Sequence, residues 1–222
     1  MNILMRLYFD EHLNLLDHQA LKAYRSKLKK PDRYLITKSY DTQAYTQLRK
    51  YGLEHKVINM YDYFQNAINM PIKNLHVRLS GIFNLKDFKI VGINNNQSDL
   101  YDRNTKIAEI KIAPETVQLI GDVNFVNDAG LTTSRDLYDR RGFLSSTQYF
   151  DLNGNLGHQI IYNKDKQPVI EIIVMNYNGK LQKTGLKLLN YQGADYLFAN
   201  EDNLWAFFKD ELKQINIAKL RK

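Results

Sequence analysis

From about residue 75 onward, turn signals recur every 12 to 15 residues, which commits the second half of the chain to a succession of short strands. An aromatic residue followed by Asx or a turn dipeptide marks each unit. The units are Tyr101-Asp102-Arg103-Asn104, Tyr138-Asp139-Arg140-Arg141-Gly142, Phe150-Asp151-Leu152-Asn153-Gly154, Tyr162-Asn163-Lys164-Asp165, Tyr177-Asn178-Gly179 and Tyr191-Gln192-Gly193. From Tyr138 the aromatics stand 12, 12, 15 and 14 residues apart. Asn153-Gly154 and Asn178-Gly179 suit the positive φ angles of tight hairpin turns. Each unit is then one strand with its turn, and the region reads as an antiparallel meander. Its longest strands are expected at Ile160–Tyr162, Val169–Met175 and Leu181–Leu189. The 15 Tyr and 10 Phe agree, because aromatic side chains favour half-buried pleated surfaces.

Residues 1–74 have a different texture. Ile3–Phe9 reads as a strand, and Asp10–Lys30 reads as a helix with Leu13, Leu16, Ala20, Ala23, Tyr24 and Leu28 at helical spacing. Pro31 and Asp32 stop it. Tyr34–Thr37 is a second strand. Asp41 caps a helix running through Tyr51, with Ala44, Tyr45, Leu48 and Tyr51 on one face and Gly52 placed as a C′ glycine. Lys56–Met60 is a third strand, and Tyr61–Met70 a short helix ended by Pro71. Strands alternating with helices imply parallel pairing. The last element is a helix capped by Asn200 or Asp202, with Leu204, Trp205, Phe208, Leu212 and Ile215 on one face. Ile215–Leu220 offers a further strand.

The expected class is therefore α+β. A short βαβαβα Rossmann-like segment (1–74) precedes an antiparallel β-meander (75–199), and a C-terminal amphipathic helix (200–222) returns to the first domain. At 222 residues no staple is needed, and the absence of Cys excludes disulfides, a Cys nucleophile and thiolate zinc sites. No 18-residue apolar run occurs, and the first residues lack the apolar length of a signal peptide. The expectation is a cytoplasmic protein with at most peripheral contact at the inner face of the membrane.

The net charge of +7 is uneven: residues 1–74 hold 12 basic and 7 acidic side chains, whereas residues 75–199 hold 14 and 13. Lys27, Lys29, Lys30 and Arg33 carry part of the excess. They read either as cations at a helix C-terminus, offsetting its macrodipole, or as a patch for a polyanion. No nucleic-acid motif accompanies them, so nucleic acid is not expected.

Asp10, Glu11 and His12 form a dense polar cluster at the end of the first strand, where open α/β sheets bind ligands. They read either as a helix N-cap with acids in the first turn or as contacts to an acceptor. Asp136, Asp139, Arg140 and Arg141 read as solvated turn charges. All 11 Gly lie between positions 52 and 193, so the first βα turn lacks the glycine that phosphate cradling requires. The five His have no metal-ligand spacing. No catalytic residue, metal or cofactor is expected. The Tyr repeat reads as cross-strand packing or as a platform for stacking sugars.

The order of parts, carried by Lys56–Gln65 (KVINMYDYFQ), Gly157–Val174 (GHQIIYNKDKQPVIEIIV) and Asp195–Leu212 (DYLFANEDNLWAFFKDEL), resembles a family. It is that of the bacterial two-Rossmann-domain (GT-B type) glycosyltransferases with an inserted β-sheet domain. Those enzymes decorate wall teichoic acids or serine-rich adhesins. The resemblance implies a region that holds an anionic polymer or glycoprotein acceptor and oligomerises, in an enzyme using a nucleotide-sugar. Two departures stand out: the first turn is FDEHLN without glycine, and no Glu-x7-Glu pair is present. They imply either the N-terminal piece of a larger enzyme, inactive alone, or a non-catalytic partner or chaperone subunit of a sister glycosyltransferase. A stand-alone carbohydrate-binding repeat module is the remaining alternative. In each of the first two cases the meander is expected to self-associate or bind a sister subunit through its strand edges, unless Lys180, Lys183 and Lys187 blunt them.

Overall fold

The computed structural model describes residues 6–76, 82–83, 87–177 and 179–215. The chain divides into two compact units, Met1–Pro71 with Asp202–Lys222, and Ile72–Glu201.

The first unit contains β1 (Arg6–Asp10), α1 (His18–Lys27), β2 (Arg33–Thr37), α2 (Ala44–Lys50), β3 (Val57–Asn59), α3 (Met60–Phe64) and most of α4 (Glu201–Gln214). The strands form a three-stranded parallel sheet in the order β1-β2-β3. The Rossmann-like expectation is met at that level: parallel strands with intervening helices. Asp10 pairs with Thr37 and Thr37 with Asn59, so these three residues end the sheet at one level. Both faces of β2 are covered, with Leu35 and Ile36 fully buried, as an apolar run in a parallel sheet requires. One core joins Leu15, Leu21, Leu28, Leu35, Leu48 and Val57.

The helix expected over Asp10–Lys30 is shorter, because three Asx side chains compete for backbone N–H groups before it begins. Asp10 Oδ1 accepts from the His12 N–H, and Asn14 Oδ1 from the Leu16 N–H. Asp17 is the true N-cap and accepts from Gln19 and Ala20. Asp10 therefore caps no helix. Asp41 takes the Gln43 N–H, and α2 starts two residues later than expected, with Gln43 at the N-cap. The helix ends in a Schellman motif: Leu53 N–H donates to Leu48 C=O and Gly52 N–H to Arg49 C=O, with Gly52 at φ +65°. Along α4, Leu204, Trp205, Phe208 and Leu212 are buried, as their spacing predicts, whereas Ile215 is only half-buried. Of the strand suggested at Ile215–Leu220 all but Ile215 lies outside the described residues, as do the first residues of the strand at Ile3–Phe9.

The second unit is a ten-stranded antiparallel sheet in sequence order. Its strands are β4 (Phe88–Asn94), β5 (Gln97–Asp102), β6 (Thr105–Ile112), β7 (Ile120–Val126), β8 (Thr132–Asp139), β9 (Phe143–Phe150), β10 (Leu156–Tyr162), β11 (Pro168–Tyr177), β12 (Lys180–Tyr191) and β13 (Ala194–Phe198). The meander is longer and more regular than its sequence signals suggest.

Four of its hairpin turns share one design. Asn127, Asp139, Asp151 and Asn163 stand 12 residues apart, and each carbonyl accepts from the N–H three residues on. Each side-chain Oδ1 also accepts from the N–H two residues on. The fourth residue has positive φ: Gly130, Gly142, Gly154 and, without glycine, Lys166. This is a type I turn followed by a left-handed residue. Only the glycine of Asn153-Gly154 has positive φ, because the Asx side chain of Asp151 sets a type I turn rather than the two-residue turn expected. Gly179 is at φ +77° in the tighter turn between Tyr177 and Lys180; its neighbour Asn178 lies outside the described residues.

The apolar face of this sheet changes sides. One lateral row runs Ser98–Ile110–Val123–Asp136–Thr147–Ile160–Glu171–Lys187–Leu197. Its β6 and β7 members are fully buried, whereas Leu197 is 81% exposed. The neighbouring row runs Asp99–Glu109–Asn124–Arg135–Gln148–Gln159–Ile172–Leu186, polar in β5–β10 and buried apolar beyond. The free edges are β4 and β13. Lys187 lies within the sheet, opposite Leu197, but β13 ends at Phe198 opposite Leu186, so Lys180 and Lys183 stand on a stretch of β12 that β13 leaves uncovered. Lys187 pairs with Asp195 at 2.8 Å and Lys183 with Glu201 at 3.1 Å.

Candidate functional site

The level end of the parallel sheet carries a hollow of about 330 Å³ lined by Phe9, Asp10, Glu11, His12, Trp205 and Lys209. Its construction follows from the register. β1 delivers Asp10 to the rim, and the Asx turn at Asp10 sends Glu11 and His12 outward. Asp10 Oδ2 accepts from the Tyr24 hydroxyl at 2.7 Å. Burial and this bond push the Tyr24 phenol up to about 12. Both Asp10 oxygens are thus engaged inside the protein. Glu11 and His12 face solvent, 3.5 Å apart. Trp205 is 2% exposed and meets Phe9 edge-on at 6.2 Å, while Phe9 is 46% exposed. The Lys209 ammonium sits 5.6 Å from the Trp205 ring centroid.

Around the hollow the backbone is tied down. Asn59 Nδ2 donates to Thr37 Oγ1 at 3.1 Å and to Ser39 C=O at 2.7 Å, and Ser39 Oγ donates to Leu13 C=O at 3.1 Å. Lys38 pairs with Asp202, which holds that carboxylate below its usual range. Sequence reasoning missed Phe9, Trp205 and Lys209. Trp205 was legible as a core residue of α4; that Lys209 follows it one turn later was the available signal.

This hollow offers exposed hydrogen-bonding groups of both signs beside an aromatic edge. That equips it to hold a polar ligand and supplies no assembled nucleophile–base pair. Among the described residues no group of three or more His, Cys, Asp or Glu side chains is placed to hold a metal ion.

The basic cluster is elsewhere. Arg33 begins β2 beside Arg6, at the opposite end of the strands from Asp10. Its Nη1 donates to Lys27 C=O at 2.9 Å, so it satisfies a carbonyl at the end of α1. Lys27 lies 5.1 Å from the Tyr24 ring centroid. Lys27, Lys29 and Lys30 are exposed. The two candidate sites are therefore separate.

Asp139 and Arg141 are not solvated turn charges. Arg141 is 2% exposed, and its Nε and Nη2 donate to the two Asp139 oxygens at 2.7 and 2.8 Å. Asp136 is half-buried, accepts from Thr147 Oγ1 at 2.6 Å, and is pushed up by burial. These charges were misread because turn position says nothing about what covers the turn. Here Lys73 does so: its N–H donates to Arg141 C=O at 2.8 Å.

Comparison with known proteins bears on the sheet. The family model described as the GtfB middle domain matches residues 88–199, half of the chain and all ten strands of the sheet. The chain belongs to the GtfB middle-domain family. A curated relative from Streptococcus agalactiae, the UDP-N-acetylglucosamine–peptide N-acetylglucosaminyltransferase stabilizing protein GtfB, is 26% identical over 67% of the chain. The chain spans 31% of that relative's length. Two solved structures share the fold. A GtfA/B complex bound to UDP and GlcNAc has a TM-score of 0.73 and 14% identity, covering 94% of the chain and 42% of the solved one. A variant of S. aureus TarM in complex with fondaparinux, α-GlcNAc-glycerol and UDP has a TM-score of 0.61 and 14% identity, covering 95% and 43%. The glycosyltransferase resemblance read from the sequence is thus met at the level of family and fold.

Proposed function

We propose that the chain acts as a non-catalytic stabilising subunit of a sister glycosyltransferase that modifies protein, bound to it through the ten-stranded sheet. The observation that carries this is the family match, which coincides with the sheet, beside a relative named as a stabilizing protein. The β9–β13 half of the sheet leaves Tyr149, Ile173, Met175 and Leu197 exposed on one face, and His158 stacks on Tyr149 at 5.8 Å. Exposed apolar side chains on a sheet of nearly balanced charge suit association.

Light scattering of the chain mixed with its cognate glycosyltransferase at micromolar concentration tests this. A stable complex of defined mass is expected. Two components that elute with their separate masses contradict it, as does turnover of a nucleotide-sugar by the chain alone. The exposed Lys27, Lys29 and Lys30 support a second contribution, weak contact with an anionic acceptor polymer. Such contact is screened by salt, so it is expected to weaken from low to physiological ionic strength in the unaltered chain and to be absent even at low salt when Lys27, Lys29 and Lys30 are changed to Glu.

A further inference from the structure

A second hollow of about 600 Å³ lies within the sheet unit, at the end of β4, β5 and β6. This volume falls in the range of small-molecule sites, about 300–1,000 Å³. Two segments build its walls. The β4–β5 turn is held by the Asn96 N–H donating to Asn94 Oδ1 at 2.8 Å, and it is fixed to β6 by the Ile112 N–H donating to Asn96 C=O at 2.9 Å. Opposite it runs the loop after β6, where Thr116 Oγ1 donates to Ala113 C=O at 2.6 Å. Two non-glycine residues in this loop, Glu115 at φ +59° and Gln118 at φ +64°, hold the left-handed region that such residues avoid. Strain of this kind persists where the surroundings over-determine the backbone, and it gathers at ligand sites.

The lining is chemically selective. Asn94, Asn95, Asn96, Ser98, Thr116 and Gln118 bring amide and hydroxyl groups that both donate and accept. Ile90, Ile112 and Val117 bring aliphatic surface, and Val117 is 80% exposed. None of the ten lining residues is charged, although a quarter of the chain is. Phosphate and carboxylate ligands, which cations or helix N-termini bind most strongly, meet neither among the lining residues. A bounded hollow suits a compact ligand rather than an extended chain. Mixed donors and acceptors match ring hydroxyls, and an amide beside aliphatic carbon matches an acetamido group.

We infer that this hollow between the β4–β5 turn and residues 114–118 binds a neutral N-acetylated sugar. The hollow lies at the β4–β6 end of the sheet, whereas the exposed Ile173, Met175 and Leu197 lie on β11 and β13. It gives the sheet unit a carbohydrate contact of its own.

The test is an NMR titration of the isotopically labelled full chain with free N-acetylglucosamine. Shifts are expected to concentrate in the amides of Asn94–Ser98 and Thr116–Gln118. Glucose, which lacks the acetamido group, is expected to shift them less, and UDP not at all. Gly92 lines the hollow, has no positive φ, and a Cβ built there meets no atom within 4 Å. Gly92→Val is therefore expected to fold, to fill the hollow and to weaken the response about tenfold or more. Gln118→Gly, which relieves the backbone, is expected to keep the fold and lose one hydrogen-bonding group, with a smaller loss of response. The inference is overturned by shifts that are absent or lie elsewhere, by equal responses to glucose, or by an undiminished response in folded Gly92→Val. It is also overturned if a neutral Ser/Thr-rich peptide, and not the sugar, shifts the amides along the edge strand β4, which marks strand addition.

Discussion

Gly142 shows how closely single residues are constrained. A Cβ there would sit 1.9 Å from the Lys73 carbonyl oxygen, and φ is +87°. Steric exclusion and backbone preference act together, so Gly142→Ala is expected to cost well over about 1 kcal/mol, the usual effect of misplaced backbone conformation alone. Urea unfolding measures it. Lys166 is the converse case: it holds the left-handed position that glycine fills in the three sister turns. Lys166→Gly is expected to be neutral or stabilising by up to about 1 kcal/mol. Breaking the buried Asp139–Arg141 pair by Arg141→Met removes the guanidinium that neutralises a carboxylate at 5% exposure, with an expected loss of about 3–5 kcal/mol. Tyr24 sets an alkaline limit. It holds its proton more tightly when folded, up to about 12, than at its ordinary value of 10.0. Its contribution is complete below about pH 10 and fades as pH rises towards 12. Tyr138 shifts in the same direction through burial. Stability is therefore expected to fall above about pH 10, and Tyr24→Phe to flatten that fall; unfolding curves across the alkaline range check both.

At the scale of elements, the meander was legible because its punctuation is chemical. Tyr138, Phe150 and Tyr162 each precede an Asx residue, and the Asx side chain itself builds the turn. The first turn of that series, Asn127–Gly130, escaped notice only because Val126 replaces the aromatic. The turn type was not legible, since it depends on whether Asp151 engages the backbone, which the Asn-Gly dipeptide does not report. Helix starts were misplaced for the same reason: Asp10, Asn14 and Asp17 are equivalent as sequence signals, and only one caps α1. The change of apolar face between β7 and β10 was invisible, because alternation names two faces without saying which is covered. The hollow at Asp10–His12 was half legible. Strand-end logic found the acids, but Trp205 comes from the far end of the chain. One expectation belongs here. Gly179→Val places a β-branched residue at φ +77° between Tyr177 and Lys180, with a cost of about 1 kcal/mol or more confined to the β11–β12 hairpin. Hydrogen exchange would show that hairpin opening first.

The whole molecule combines a basic first unit with a sheet unit of nearly balanced charge. Among the described residues no helix is long and apolar enough to cross a membrane. The sheet is the part that the family match covers, and it carries the exposed apolar face on β9–β13. A partner that binds the folded enzyme and not its unfolded chain raises the enzyme's apparent stability by mass action. The central claim is therefore tested most directly by the unfolding temperature of the cognate glycosyltransferase, recorded as this chain is added. The account predicts a saturable rise with stoichiometric binding, reduced when Ile173 and Met175 are changed to Asp. An unfolding temperature unmoved by excess chain would contradict it.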